Sequence, residues 1–159
     1  MVIGNGDIAS VLNDRSDVVF FASGVSNSGC DCIVEFQREV KMLKEIYSFR
    51  HLVYFSSLSI YYSNSAYTRH KKHMEKIIEN TFLSYTVVRL GNITWGKNPN
   101  TFINYLKSHP EAEVKPVWRH VIDKDEFLYW MDKIRVGEKD IMNIPGRRVW
   151  VPDYVKEIR

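Results

Sequence analysis

The chain contains 159 residues, of which 45% are hydrophobic and 13% are aromatic. This is the size of one ordinary domain with enough apolar residues for a core, which excludes a disordered or low-complexity protein. The 22 basic and 19 acidic residues give a formal net charge of +3. That charge is too small and too mixed to indicate a nucleic-acid partner or a membrane surface.

The sequence shows no membrane segment and only two cysteines. No apolar run approaches the roughly 18 residues of a membrane-spanning helix, and residues 1–3 lack the basic region of a secretory signal. We therefore expect a soluble, cytoplasmic protein. Cys30 and Cys32 make no disulfide framework and have no second pair to complete a zinc site, so no metal is expected.

Hydrophobic patterning predicts strands that alternate with helices up to residue 96. Apolar runs at residues 1–3, 18–22, 52–55 and 85–88 predict buried strands. Apolar residues recur at helical spacing in three segments: a short one with Ile8, Val11 and Leu12, one with Phe36, Val40, Leu43 and Tyr47, and one over about 66–80. This alternation predicts an α/β fold with a parallel sheet and right-handed crossovers.

Beyond residue 96 the pattern is looser. Helices are predicted near residues 102–106, 126–134 and 154–158, and short strands near 117–118 and 149–151. We expect residues 1–96 to form the main α/β core and residues 97–159 to form a small lobe packed on the same domain, over the carboxyl edge of the sheet.

A glycine-rich turn follows the first predicted strand. It reads Gly4-Asn5-Gly6-Asp7-Ile8-Ala9, a pattern that lets backbone N–H groups approach a pyrophosphate at a helix N-terminus. Gly4 would give the tight turn, Gly6 the close approach and Ala9 the close packing of the helix. Such turns are also common as purely structural features, so both interpretations stay open.

A tyrosine and a lysine share one face of the helix over about 66–80. Tyr67 and Lys71 are four residues apart, so the ammonium can lie beside the phenol. A neighbouring positive charge favours the phenolate form, which suits general acid or base catalysis on a hydroxyl or carbonyl. The preceding strand ends at Ser56 and Ser57, where open α/β sheets bind ligands. His70 and His73 are expected on the exposed side of this helix.

Four stretches in this order resemble motifs of the extended short-chain dehydrogenase/reductase superfamily, in particular its NAD-dependent epimerase/dehydratase group, which acts on nucleotide sugars. They are the glycine turn, the run Val-Tyr-Phe-Ser-Ser-Leu-Ser-Ile-Tyr over residues 53–61, the pattern Tyr67-x-x-x-Lys71-x-x-x-Glu75, and residues 88–92 with Gly96. Residues 119–123 and 143–146 are similar to later parts of the family pattern, so the likeness spans nearly the whole chain.

The resemblance implies a Rossmann-type fold, a cofactor that is NAD or NADP, and a nucleotide-sugar substrate in polysaccharide biosynthesis. It implies that Ser57, four residues before Tyr61, polarises the substrate oxygen, that Tyr67 is the acid/base, and that Lys71 tunes the tyrosine and holds the nicotinamide ribose. The implied cofactor-binding residues are Gly4, Asn5, Gly6, Asp7, Ile8, Ser23, Gly24 and Lys71. Asn92 matches a position near the substrate, and Trp95, beside Gly96, is expected to line the substrate pocket.

The chain also departs from the family pattern. A strand, a helix and a further strand are missing before residue 18, so the adenosine half of the cofactor cleft is absent and the affinity for a cofactor is in question. Glu39 replaces the asparagine of the family's helix. Three functions therefore remain open: an NAD(P)-linked oxidoreductase or epimerase, a non-catalytic binding or regulatory module that has lost the cofactor, and a binder of a single nucleotide.

The missing strands also bear on assembly. Their loss leaves the first strand at or near a sheet edge, where unpaired backbone groups are usually covered or paired with another subunit. Members of the family often pair helices such as 36–47 and 66–80. A homodimer is therefore expected.

Overall fold

The computed structural model describes residues 1–46 and 50–159. The strands of this part are β1 (Val2–Ile3), β2 (Val18–Phe21), β3 (His51–Ser57), β4 (Tyr85–Leu90), β5 (Asn92–Ile93), β6 (Trp118–Ile122), β7 (Lys139–Ile144) and β8 (Arg147–Trp150). The helices are α1 (Ile33–Lys44), α2 (Ala66–Thr81), α3 (Phe102–Ser108), α4 (Lys124–Asp132) and α5 (Val151–Ile158). Tyr47, expected to continue the apolar face of the first long helix, lies outside the described residues.

The main sheet has five parallel strands in the order β1-β2-β3-β4-β7. Every residue of β2 is buried, as are six of the seven residues of β3, because layers cover both faces of the sheet. This confirms the predicted α/β class. In a complete doubly wound sheet, strands lie on both sides of the first strand. Here no described strand pairs with the outer side of β1, as the sequence predicted.

Alternate side chains of the central strands fill two separate cores. On one face, Leu43 of α1 and Met74 of α2 pack against Tyr54 of β3. On the other face, Phe127 of α4 packs against Phe55 of β3, with ring centroids 5.8 Å apart. The result is a layer of helix on each side of the parallel sheet. Among the described residues, no helix is both long enough and apolar enough to cross a bilayer.

The remaining strands form a smaller sheet, in the order β5-β6-β8, with α3 and α5 packed against it. The strand predicted at 149–151 is β8, which begins two residues earlier and ends one residue earlier than expected. Val151 begins α5, with Pro152 in the first turn, where its missing N–H costs no helical hydrogen bond.

The main α/β core extends beyond residue 96, where the sequence pattern predicted its end. Residues 139–144 form β7, which pairs along its whole length with β4 of the main sheet. Phe127 and Met131 of α4 belong to the core of that sheet rather than to the smaller one. The sequence did not reveal β7 because its exposed residues alternate with half-buried ones and Ile144 alone is buried, which is the pattern of an edge strand and leaves no long apolar run.

The short helix predicted near residues 8–12 is a single turn of 3-10 helix, Ala9–Val11. The turn before it needs glycine at position 4, where φ is +127° and a Cβ would lie 2.4 Å from the Ala22 carbonyl oxygen. Ile8 and Leu12 pack against the main core. The glycine turn is therefore present, but the helix expected to bind a pyrophosphate at its N-terminus is reduced to one turn.

Candidate functional site

A cleft of about 450 Å³ lies at the carboxyl ends of β1 to β4. Its size falls within the range of small-molecule sites. Its main contributors are the glycine turn, the loop after β2, the end of β3, α2 and the connection from β4 to β5. The lining also includes Arg38 of α1, Asn98, residues 100–102 and His120 of β6. This is the position at which open parallel sheets bind ligands.

Most of the predicted site residues meet in this cleft. Those that line it are Asn5, Gly6, Asp7, Ile8, Ser23, Gly24, Ser57, Tyr67, Lys71 and Asn92. Gly4 and Trp95 are not among the lining residues. Gly4 packs against the end of β2, and Trp95 packs on Phe127 with ring centroids 5.1 Å apart. The roles assigned to all of these residues stay predictions.

Two neighbouring residues of the glycine turn differ in their surroundings: Gly6 faces open space, and Asp7 is hydrogen-bonded to another loop. No atom lies within 4 Å of a Cβ built on Gly6, so a ligand can approach its backbone closely. The Asp7 carboxylate instead accepts hydrogen bonds from the backbone N–H groups of Lys97 (2.9 Å) and Asn98 (3.0 Å). Asp7 therefore fastens the turn to the loop after β5, and its acceptor oxygens are already engaged.

The two serines at the end of β3 have different partners. The Ser57 hydroxyl accepts a hydrogen bond from the Ser59 N–H (3.1 Å) and donates one to the Ser59 hydroxyl (3.0 Å). The Ser56 hydroxyl donates to the Glu75 carboxylate at 2.6 Å, and the same carboxylate accepts two hydrogen bonds from Arg89. Ser56 therefore serves this ion pair, and Ser57 bonds within its own turn, although both serines line the cleft.

Lys71 lies one helical turn beyond Tyr67, and its ammonium is buried. The Nζ atom is 5.6 Å from the centroid of the Tyr67 ring. It donates to Glu39 Oε1 and to the Tyr54 hydroxyl, both at 3.2 Å. The side chain thus reaches the cleft with its charge already paired to a carboxylate on α1.

Glu39 is fully buried and accepts four hydrogen bonds. Besides Lys71, its donors are the Tyr54 hydroxyl (2.6 Å), His70 Nε2 (2.8 Å) and the Val25 backbone N–H (2.9 Å). Burial alone would raise the pKa of this carboxyl. The Lys71 charge and the three other donors outweigh it and lower the pKa from 4.5 to about 2. Glu39 is therefore ionised at neutral pH.

The same network fixes the protonation state of Tyr54. Burial, followed by the adjacent Glu39 charge, raises the pKa of Tyr54 well above its ordinary value. Its phenol is therefore protonated at neutral pH and can donate to Glu39 while accepting from Lys71.

His70 does not lie on the exposed face predicted for it. Its side chain is 4% exposed, and its ring stacks on Phe36 with centroids 4.3 Å apart while Nε2 contacts Glu39. His73 is exposed, as predicted. The sequence held a signal for this network: Glu39 lies three residues after Phe36 and four before Leu43, on the apolar stripe of α1.

Comparisons with known proteins identify the fold. The enzyme WbmG of Bordetella bronchiseptica in complex with NAD superposes with a TM-score of 0.70 at 13% identity, over 89% of this chain and 55% of WbmG. UDP-glucose 4-epimerase of Thermotoga maritima gives 0.69 at 15%, over 89% and 60%. The capsular polysaccharide assembling protein CapF of Staphylococcus aureus gives 0.59 at 16%, over 90% and 44%. No protein-family model and no curated protein sequence matches the chain.

The chain therefore has the Rossmann-type fold of the NAD-dependent epimerases and dehydratases, and the resemblance inferred from sequence is confirmed at the level of fold. It spans about half the length of these solved structures.

The cleft fits one half of a dinucleotide better than the other. Open space at Gly6 could admit a pyrophosphate, and the loop at Ser23 and Gly24 with the side chains of Tyr67 and Lys71 could surround a nicotinamide and its ribose. On the adenosine side, the described residues provide no strand beyond β1 and one turn of helix after the glycine turn.

The low pKa of Glu39 predicts a specific acid sensitivity. A carboxyl whose folded-state pKa lies below its unfolded value stabilises the fold above about pH 4.5, and this contribution is lost as the pH falls toward 2. The shift corresponds to on the order of 3 kcal/mol. A Glu39→Gln variant should lose about 3–5 kcal/mol at neutral pH because it leaves the Lys71 charge buried and unpaired.

Urea unfolding at neutral pH, about pH 5 and about pH 3 measures both effects. Wild type should lose more stability than Glu39→Gln between the two acidic conditions. Glu79→Gln, which removes an exposed carboxylate of α2, is the control and should follow wild type. Equal acid losses in wild type and Glu39→Gln would contradict the account.

Proposed function

We propose that the protein is an NAD(P)-linked oxidoreductase or epimerase that acts on a nucleotide sugar in polysaccharide biosynthesis. The observation that carries the proposal is that Ser57, Tyr67 and Lys71 line one cleft at the carboxyl end of the sheet. Solved structures with this fold contain NAD, or NAD with UDP in WbmG. CapF, which shares the fold, is described as assembling capsular polysaccharide. These likenesses support the substrate class.

The three side chains would divide the proton chemistry among them. The Tyr67 phenol exchanges a proton with a hydroxyl or carbonyl oxygen of the sugar. The Ser57 hydroxyl would turn its O–H away from Ser59, to which it donates in the free protein, and donate it to the same oxygen, which polarises that oxygen. Lys71 holds a ribose hydroxyl and lies beside Tyr67. A nicotinamide bound in this cleft supplies the hydride acceptor or donor.

A second candidate is a non-catalytic binding or regulatory module. Two observations favour it. The Lys71 ammonium is already paired with Glu39 at 3.2 Å, and β1 has no described neighbour on the side where adenosine-binding strands would lie. Against this candidate stands the retention of all three catalytic side chain types in one cleft. A measurement of cofactor binding distinguishes the two candidates, because the enzyme requires a cofactor and the module does not.

The test is a calorimetric titration with NADH and then NADPH. We expect a micromolar dissociation constant for one of them, abolished in Gly6→Val, because the added side chain has space in the fold and would fill the cleft. Gly29→Val adds the same atoms outside the cleft and should bind as wild type does. No heat with either cofactor up to millimolar concentration would contradict the enzyme proposal and favour the module.

If a cofactor binds, Tyr67→Phe completes this test. Removing one phenol oxygen should lower turnover of nucleotide sugars by about 10²–10⁴-fold, as for the loss of a general acid or base, and leave NADH affinity nearly unchanged. Undiminished turnover in this variant would contradict the role given to Tyr67.

We also propose that two copies pair through the outer faces of α1 and α2. A groove of about 750 Å³ runs between these helices, and Phe36, Val40 and Ala66 line part of it. Ile33 at its rim is 63% exposed. Phe36, Val40 and Ala66 are partly exposed, and charged side chains of both helices complete the groove. Grouped accessible apolar residues mark interaction sites, and a second copy would present the same face in a two-fold contact.

Light scattering at micromolar concentration should give the mass of a dimer. Ile33→Asp should shift it to the monomer, because a twofold contact would bury two added charges. Leu83→Asp changes an apolar residue that is 90% exposed elsewhere and should leave the dimer intact. A wild-type monomer under these conditions would overturn the proposal.

A further inference from the structure

The Lys71 ammonium has three N–H groups, and two are occupied within the protein. An ammonium donates three hydrogen bonds and accepts none. Glu39 Oε1 and the Tyr54 hydroxyl each accept one at 3.2 Å. Since Lys71 also lines the cleft, a single N–H remains for a ligand atom there.

Gly24 lies against this ion pair. A Cβ at position 24 would lie 2.7 Å from Glu39 Oε1 and 2.9 Å from Lys71 Nζ. The loop after β2 therefore passes directly over the pair, and only a residue without a side chain leaves both charged atoms in place. The backbone of Gly24 is thus a local reporter of what happens at Nζ.

The Lys71–Glu39 ion pair carries no net charge as a whole. Glu39 is ionised at neutral pH because its pKa is about 2, and its carboxylate lies at hydrogen-bond distance from Nζ. A ligand atom beyond Nζ therefore feels an attraction to the ammonium that the more distant Glu39 carboxylate partly cancels.

Five other charged or titratable groups bear on this end of the site. His70 contacts the far oxygen of Glu39, and Glu75 is neutralised by Arg89. Arg38, which also lines the cleft, pairs with Glu35 at 3.0 Å. Of the cations that line the cleft, Lys71 is the one whose partner is fully buried.

We propose that Glu39 is a specificity-determining residue of the cleft. By pairing with Lys71, it leaves the ammonium one N–H and cancels much of the attraction of its charge for an anion, so this end of the cleft accepts a neutral hydroxyl or carbonyl oxygen in preference to a phosphate or carboxylate group. The inference deepens the proposed function, on which it rests, because it places the sugar or ribose hydroxyls, rather than a phosphate, at Lys71.

The test uses inorganic phosphate and the backbone amide signals of ¹⁵N-labelled protein. In wild type at neutral pH, phosphate should leave the Gly24 amide signal unmoved. In Glu39→Gln, which removes the carboxylate charge and keeps the side-chain shape, phosphate should move it, with an affinity at least about tenfold tighter than in wild type. Glu39→Asn carries the same expectation if the first variant does not fold.

Two controls locate the effect. Glu75→Gln also removes a largely buried carboxylate from an ion pair but frees Arg89, which does not line the cleft, so its Gly24 signal should behave as in wild type. Arg38→Gln, made in wild type and in Glu39→Gln, removes the other cationic side chain close to this loop. Because Arg38 also donates to the Ser23 carbonyl at 3.2 Å, each variant is compared with its own phosphate-free spectrum, and the phosphate-dependent change should stay the same.

The outcomes are separable from those of the cofactor titration because phosphate, and not NADH, is the probe. A clear phosphate-dependent shift of the Gly24 signal in wild type would overturn the inference. This result needs no variant protein. A folded Glu39→Gln protein whose Gly24 signal ignores phosphate would overturn it as well. A shift confined to the Glu39 variants would support it, whether or not NADH binds.

Discussion

The geometry of the candidate site depends on one buried carboxylate. Glu39 of α1 accepts hydrogen bonds from the loop after β2, from β3 and from two residues of α2. Four segments that are distant in sequence are thereby held at the same point beside the cleft. A buried charge is tolerated only when it is paired and its remaining lone pairs are satisfied. Here each carboxylate oxygen has two donors.

This arrangement links the fold to the chemistry proposed for it. The parallel sheet brings the ends of β1 to β4 to one edge, and α2 carries Tyr67 and Lys71 to that edge. The attraction of the Lys71 ammonium for an anionic ligand group then depends on Glu39 as well as on Lys71. The cleft therefore combines the side chains expected of a dehydrogenase with an ammonium whose charge is already balanced.

Much of the fold could be predicted because the strands of a parallel sheet buried on both faces consist of short apolar runs. The apolar runs of β2, β3 and β4 exist because helices cover both faces. The edge position of β1 followed from the lack of residues for further strands. β7 could not be predicted in this way, since an alternating strand at the other edge resembles a loop. The single 3-10 turn after Gly6 reflects the few residues between β1 and β2.

The residues that line the candidate site could be predicted from strand ends and helical spacing. The side chains that those residues contact could not. Ser57, Tyr67 and Lys71 meet because strand ends converge at one edge of the sheet. Lys71's partner lies 32 positions earlier in the chain, and Trp95 turned to the core because its N–H reaches the Asp7 carbonyl at 3.0 Å. Such contacts are set by tertiary packing, which local patterns do not encode.

The central claim, that Lys71 is a buried ammonium held by Glu39, can be measured directly on the free protein. Lysine side-chain ¹⁵N NMR at neutral pH detects ammonium groups whose protons exchange slowly with water. The account predicts one protected ammonium signal that disappears in Lys71→Met and in Glu39→Gln and persists in Glu75→Gln. Absence of such a signal in wild type, or its survival in a folded Glu39→Gln variant, would contradict the account.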